Sequence, residues 1–199
     1  MTRRAHAGFI AVFAAVLVAL IPDAHAQAPN DPSGEPDASM TSAQDSFVKG
    51  DMDKASDHIQ KAASYVKQQS QHVAKDAKQG LVKASDQLSE LAKGVKKGTV
   101  TSVDQLKKTF AQVDNQLAKA WHTTAGQAQK SGKDATDSLK KAADGLEGAA
   151  KWSGTQLQEG TQASVDGLKK AGKGAKEDMG KFFKSIGDGI AEMGQKIGG

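Results

Sequence analysis

An apolar period of helical spacing runs through most of this chain and constrains its fold more than any other feature. Between residues 62 and 95 the spacing is 4-4-3, repeated three times, and it continues with interruptions to residue 197. The period averages about 3.65 residues per turn, between the 3.6 of a free α-helix and the 3.67 of an 11-residue repeat. The sequence contains no alternating strand pattern. We therefore predict an all-α protein built from elongated amphipathic helices.

A break in this period is expected at residues 96–102, KKGTVTS. The two lysines suit the C-terminus of a helix, and Gly98 suits the position that follows it. Thr101, followed three residues later by Asp104, resembles a capping box at the start of the next helix. One helix is therefore predicted to end here and a second to begin.

Residues 47–130 are accordingly predicted to form a helical hairpin with arms at about 49–97 and 102–130. A single unbroken helix over residues 49–199 would be about 225 Å long at 1.5 Å per residue, which favours folding back. Bulky apolar side chains of the stripe are predicted to form the core of this hairpin. These residues are Val66, Val73, Leu81, Leu88, Val95, Val103, Leu106, Phe110, Leu117 and Trp121.

Two regions of different composition flank the predicted hairpin. Residues 27–46 hold three of the four prolines and acidic residues without any Lys or Arg, which predicts a disordered acidic linker. Residues 131–199 keep the helical period but are rich in glycine. Each glycine inside a helix costs about 1 kcal/mol relative to alanine. We predict that this part is a glycine-rich, conditionally ordered helical tract.

The N-terminal residues 1–26 have the three-part pattern of a secretory signal peptide. Two arginines precede an apolar run of 13 residues, and Ala24-His25-Ala26 places small residues before Gln27. The alternative, an uncleaved membrane anchor, is disfavoured because the run is short for a bilayer span. We predict cleavage after Ala26 and a periplasmic or secreted protein.

Charge and cysteine content narrow the partners and the chemistry. Residues 49–199 carry 25 Lys and Arg against 18 Asp and Glu, a net charge of +7. Export argues against nucleic acid as the partner of this basic region, so an anionic membrane or envelope surface is predicted instead. The sequence has no cysteine, which excludes disulfides, thiol nucleophiles and thiolate metal ligands.

Sequence signals of catalysis are also absent. There is no HExxH, GxSxG or phosphate-loop motif. His58 and His72 would lie about 21 Å apart along one helix, too far to share a metal. The carboxylates are spread around the helices, and a two-helix hairpin is expected to offer no cleft deep enough to shift a pKa. We predict no enzymatic activity, no cofactor, no metal and no small-molecule substrate.

The end of the chain has the most pronounced amphipathic pattern. Seven bulky apolar side chains fall on one face when residues are plotted at 100° each, with charged residues opposite. This pattern is typical of a helix that lies in a membrane interface. The alternative is that the same face packs onto the hairpin as a third helix. The predicted membrane-facing residues are Met179, Phe182, Phe183, Ile186, Ile190, Met193 and Ile197.

Two stretches resemble the 11-residue repeat of group 3 late-embryogenesis-abundant proteins. TAGQAQKSGKD (124–134) has Thr-Ala early, Ala in the middle, and a small residue followed by charge at its end. AKDAKQGLVKA (74–84) is a looser match, and apolipoprotein-type amphipathic helices are similar in the same way. The resemblance implies a chain that is mostly disordered in bulk water and becomes helical on drying or on a lipid surface.

Three functional hypotheses follow from the sequence. The leading one is a non-enzymatic exported helical protein that associates with membrane or envelope surfaces, with a protective role under stress. The alternative is a structural or adaptor bundle that self-associates or binds a protein partner. The third is a secreted factor that perturbs membranes through residues 179–197.

Overall fold

The structure, a computed structural model, describes residues 36–171 and 178–198. These residues form seven α-helices and no strand, which confirms the all-α prediction. The helices are α1 (Asp37–Val48), α2 (Met52–Gln69), α3 (Lys75–Lys96), α4 (Val103–Lys130), α5 (Thr136–Ser153), α6 (Glu159–Lys170) and α7 (Met179–Gly198).

The helices from α2 to α5 pack as successive antiparallel neighbours, because the connections between them are short. The central helix is α4, which contacts α3 and α5 and is also covered by α7. The most extensive contact between two helices is that of α4 with α5. Helix α6 packs against α5 and α7. The three helices of the glycine-rich tract therefore contact one another, and α5 and α7 also contact α4. Conditional ordering of that tract stays a prediction.

Most of the predicted hairpin core is buried. Eight of the ten side chains are fully or almost fully buried, while Val73 and Val103 are partly buried and pack against the same core. The predicted single arm over about 49–97 is wrong, however, because it consists of α2 and α3 folded against each other. At the turn between them the Ala74 N–H donates to Thr124 Oγ1 of α4 at 2.9 Å. This tertiary contact supports a turn that contains neither glycine nor proline.

The predicted break after α3 is confirmed, and its capping differs in detail. Gly98 follows the C-cap residue Lys97 and has φ = +70°, a conformation that glycine adopts without strain. The capping box of α4 is formed by Ser102 and Gln105, one residue later than the predicted Thr101 and Asp104. Ser102 Oγ accepts from the Gln105 N–H, and Gln105 Oε1 accepts from the Ser102 N–H.

Helix α1 corrects the predicted linker. Residues 37–46 belong to a helix, although the sequence predicted disorder throughout 27–46. Met40, Ala43 and Phe47 lie three and four residues apart and are buried against the neighbouring helices, so tertiary packing outweighs the local composition. Residues 27–35 and the predicted signal peptide lie outside the described residues.

Candidate functional site

Helix α7 carries all seven predicted membrane-facing residues on one face, and that face is turned toward the bundle. Ile186, Ile190, Met193 and Ile197 are buried, while Met179, Phe182 and Phe183 are partly buried against the core. The contacts are with α4, α5 and α6. The structure therefore has the packed arrangement that the sequence left open as the alternative. Contact of these residues with a membrane stays a prediction, and it requires α7 to leave the bundle.

His122 of α4 is the main polar contact of α4 with α7. Its Nε2 lies 2.9 Å from the Phe183 carbonyl oxygen, to which an Nε2–H donates, and the two rings stack with centroids 4.0 Å apart. A β-carbon placed on Gly187 would lie 3.0 Å from the imidazole, and one on Gly126 would lie 3.2 Å from the Phe183 ring. Glycine on each helix thus provides the space that an aromatic ring of the other occupies.

Two further glycines of α7 make close contacts along the same helix. A β-carbon on Gly194 would lie 3.1 Å from Asn115 Nδ2 of α4. One on Gly189 would lie 2.6 Å from Thr161 Cγ2 of α6 and 2.9 Å from Leu146 Cδ2 of α5. Such distances are shorter than real β-carbons tolerate, so a larger residue at Gly189 must displace a neighbouring side chain.

The ion pairs of α7 lie within its own segment. Each of its three lysines pairs with an acid three or four residues away, and in the described ranges no ion pair joins α7 to another helix. These pairs are Lys181–Asp178 (3.4 Å), Lys184–Asp188 (2.6 Å) and Lys196–Glu192 (2.6 Å). Helix α7 is consequently held to the bundle by apolar packing and a few hydrogen bonds.

A cleft of about 380 Å³ lies on a different face of the central helix, lined by residues of α1, α2, α4, α5 and α6. Asp114 of α4 lines this cleft and is only 3% exposed. Its Oδ2 is buried without a hydrogen bond, and so is Nε1 of the adjacent Trp152. A buried carboxyl group in this state is costly to ionise.

Burial raises the pKa of Asp114 well above its ordinary value. The negative charge of Asp37 raises this pKa further, while the positive charge of Lys151 lowers it by a smaller amount. The expectation that no cleft could shift a pKa was therefore wrong. It rested on a two-helix hairpin, whereas five helices enclose this carboxyl group.

Ion pairs between different helices surround the cleft. Lys151 of α5 lies 2.7 Å from Asp37 Oδ2 of α1. Lys169 of α6 pairs with Glu147 and lies 3.6 Å from Asp144 Oδ1, both on α5. Burial raises the pKa of Asp144, and the Lys169 charge opposes this shift. These contacts tie α1 and α6 to α5.

Two glycines let α5 approach α4 beside this cleft. A β-carbon on Gly145 would lie 2.8 Å from the Ala118 backbone nitrogen and 2.9 Å from the Asp114 carbonyl oxygen. One on Gly148 would lie 2.4 Å from Asp114 Oδ2. The glycines that weaken α5 as an isolated helix therefore permit its close contact with α4.

Sequence reasoning missed Asp114 as a notable residue, although a signal was present. Asp114 follows Phe110 by four residues and precedes Leu117 by three, so this acidic residue lies on the same buried face of the helix as the apolar stripe. An ionisable residue on that face must be neutralised or paired.

Metal-binding and membrane-spanning features are not found in residues 36–171 and 178–198. No group of three or more His, Cys, Asp or Glu side chains there could hold a metal ion. None of the helices there combines the length and the apolar character that a transmembrane span requires. Comparison of the chain with protein-family models, curated proteins and solved structures finds no match in any of the three.

Proposed function

We propose that the protein is a non-enzymatic helical bundle that associates with anionic membrane or envelope surfaces through α7. The observation that carries this proposal is that the ion pairs of α7 lie within its own segment while its apolar face is continuous. Release of α7 would therefore separate no oppositely charged groups on different helices. Export by the predicted signal peptide and a protective role under stress belong to the same proposal.

The energetics favour transfer of α7 to another apolar surface and oppose its release into water. Four buried and three partly buried side chains, at no more than about 1.5 kcal/mol each, represent up to about 10 kcal/mol when exposed to water. A lipid interface receives the same face without that loss. Attraction of lysines to anionic lipid adds about 1 kcal/mol per residue near the surface. The net charge of +7 on residues 49–199 supplies this attraction.

A matched pair of glycine substitutions tests the proposal. In Gly189→Ala the new methyl group weakens the docking of α7 but leaves its apolar face intact, because the contacts it strains are with Thr161 and Leu146. A β-carbon on Gly180 meets nothing within 4 Å, so Gly180→Ala is the control. With docking weakened by about 1 to 2 kcal/mol, we expect Gly189→Ala to bind anionic vesicles about 5-fold to 30-fold more tightly than the wild type.

The measurement is co-sedimentation with anionic vesicles and far-UV circular dichroism, on the chain that begins at Gln27. The wild type should gain helicity or change its near-UV signal on binding, and Gly180→Ala should bind as the wild type does. Equal or weaker binding by Gly189→Ala would contradict the release of α7.

A second candidate function is a structural or adaptor bundle that binds a protein partner or itself. It is favoured by the small amount of exposed apolar surface, since Val48 at 67% exposure is the one exposed large hydrophobic residue in the described ranges. A bundle of this kind presents polar helix faces. Helicity that ignores vesicles, together with a molar mass that rises with protein concentration, would favour this candidate over the first.

A further inference from the structure

Two carboxyl groups, of Asp37 and Asp114, and the ammonium group of Lys151 line one cleft at the junction of α1, α4 and α5. Lys151 Nζ lies 2.7 Å from Asp37 Oδ2, 3.3 Å from Thr41 Oγ1 and 4.6 Å from the ring centroid of Trp152. Asp37 Oδ1 and Asp114 Oδ2 are both buried without a hydrogen bond. The Lys151 ammonium group is thus paired with the Asp37 carboxylate, and it lines the same cleft as Asp114.

The charge of this junction depends on whether Asp114 carries a proton. With Asp114 neutral, the Asp37 carboxylate and the Lys151 ammonium balance each other. With Asp114 ionised, two carboxylates face one ammonium, and the new charge is buried. The charged state is therefore unfavourable unless the junction rearranges.

Other charged groups of the cleft are already engaged. Titratable side chains from α2, α5 and α6 also line it, namely Tyr65, Lys141, Asp144, Glu147 and Lys169. Lys169 pairs with Glu147 and Asp144, and Lys141 lies over the Trp121 ring at 4.1 Å. Lys151 is the cation whose charge acts on Asp114, so it is the one that responds most directly when Asp114 is ionised.

We propose that Asp114 is a proton-dependent switch that controls the attachment of α1. When Asp114 is protonated, Lys151 stays with Asp37 and holds the first turn of α1 against α5. When Asp114 is ionised, its carboxylate competes for Lys151 and repels Asp37, which loosens the start of α1. Asp37 lies in the first turn of a helix whose N-cap residue, Pro36, makes no side-chain capping bond, and its ion pair with Lys151 joins this turn to α5.

The direction of the response follows from the burial of Asp114. Because burial raises its pKa, the folded state binds more protons than the unfolded state above the ordinary pKa of aspartate. Attachment of α1 is therefore complete where Asp37 is ionised and Asp114 is still protonated, and it is lost as the pH rises through the pKa of Asp114 in the folded protein. The switch involves a different face of the bundle from α7 and is independent of surface binding.

Hydrogen exchange of the α1 amides tests the switch directly. Protection factors, corrected for the intrinsic pH dependence of exchange, are measured over a pH series in the full chain. In the wild type, protection of α1 should fall as the pH rises, by up to about tenfold per pH unit, since one proton is released. In Asp114→Asn protection should stay constant, and in Asp37→Asn it should be low at every pH.

Asp86→Asn is the control, because Asp86 is exposed on α3, and it should follow the wild type. A carbon-13 titration of the Asp114 carboxyl group in the wild type gives the second measurement. It remains decisive if Asp114→Asn does not fold. The proposal is overturned if α1 protection is the same in the wild type and Asp114→Asn at every pH, or if the α1 amides and the carboxyl group titrate with different midpoints.

Discussion

Helices α5 and α7 both pack on α4 through glycines, but the two interfaces differ in what the glycines face. On α5, Gly145 faces backbone atoms of α4, so the main chains themselves are close. On α7, Gly187 and Gly194 face the ends of the His122 and Asn115 side chains. A side chain can rotate away from a new methyl group, whereas a helix backbone cannot. The α4–α5 contact is therefore the more rigid of the two.

The ion pairs also distinguish α5 from α7. Lys151 and Lys169 join α5 to α1 and α6, whereas the ion pairs of α7 lie within its own segment. Separating α5 from its neighbours would break these pairs, and separating α7 would not. Glycine-rich packing on α4 thus occurs both for a helix that ion pairs join to further helices and for a helix whose ion pairs are internal.

The largest effect is expected for Gly145→Ala. The added methyl group meets the backbone at Ala118 and Asp114, so we expect a net loss of about 1 to 3 kcal/mol of stability after the gain in helix propensity. Urea unfolding followed by circular dichroism measures this loss. Gly160→Ala on α6 is the control, because nothing lies within 4 Å of its β-carbon, and it should be neutral or stabilising. Equal effects of the two substitutions would contradict the rigid interface.

A pH-dependent effect is expected for Asp114→Asn. Because the folded protein raises the pKa of Asp114, ionisation lowers wild-type stability as the pH rises above the ordinary pKa of aspartate. The neutral amide of Asp114→Asn carries no such cost. The stability of the variant relative to the wild type should therefore increase by up to about 1.4 kcal/mol per pH unit, until the pH passes the pKa of Asp114 in the folded protein. Urea midpoints from pH 3 to 9 measure the difference, and parallel pH profiles would refute it.

The smallest effects are expected for the lysines that form ion pairs. Lys151→Gln removes a pair between two helices and should cost about 0.5 to 1 kcal/mol, whereas Lys184→Gln removes a pair within α7 and should cost about 0.3 kcal/mol. Thermal unfolding at low and high salt measures both. A larger cost for Lys184→Gln would mean that its charge contributes to holding α7 on the bundle.

Much of the fold could be predicted from the apolar period, because α2 to α4 bury a regular stripe of bulky side chains. Helix α1 was missed because its acidic, proline-flanked composition predicts disorder, although Met40, Ala43 and Phe47 share one face. The turn near Ala74 could not be predicted, since the stripe stays in phase across it and its support comes from Thr124. The sequence could not decide whether the apolar face of α7 packs in the bundle or lies on a membrane, because apolar residues suit both environments equally well.

The contacts between α4 and α7 also restrict how α7 can bind. Along α4, Gly126, His122 and Asn115 are separated by four and then seven residues, and their partners Phe183, Gly187 and Gly194 have the same separations in the opposite direction. Sliding α7 by one turn would bring the His122 ring against the Phe183 ring in one direction, or Gly126 against Gly187 in the other. The helix therefore has one docked position and no series of partly shifted ones. The proposed release of α7 from the bundle and its return should each follow single-exponential kinetics, because only one docked state exists.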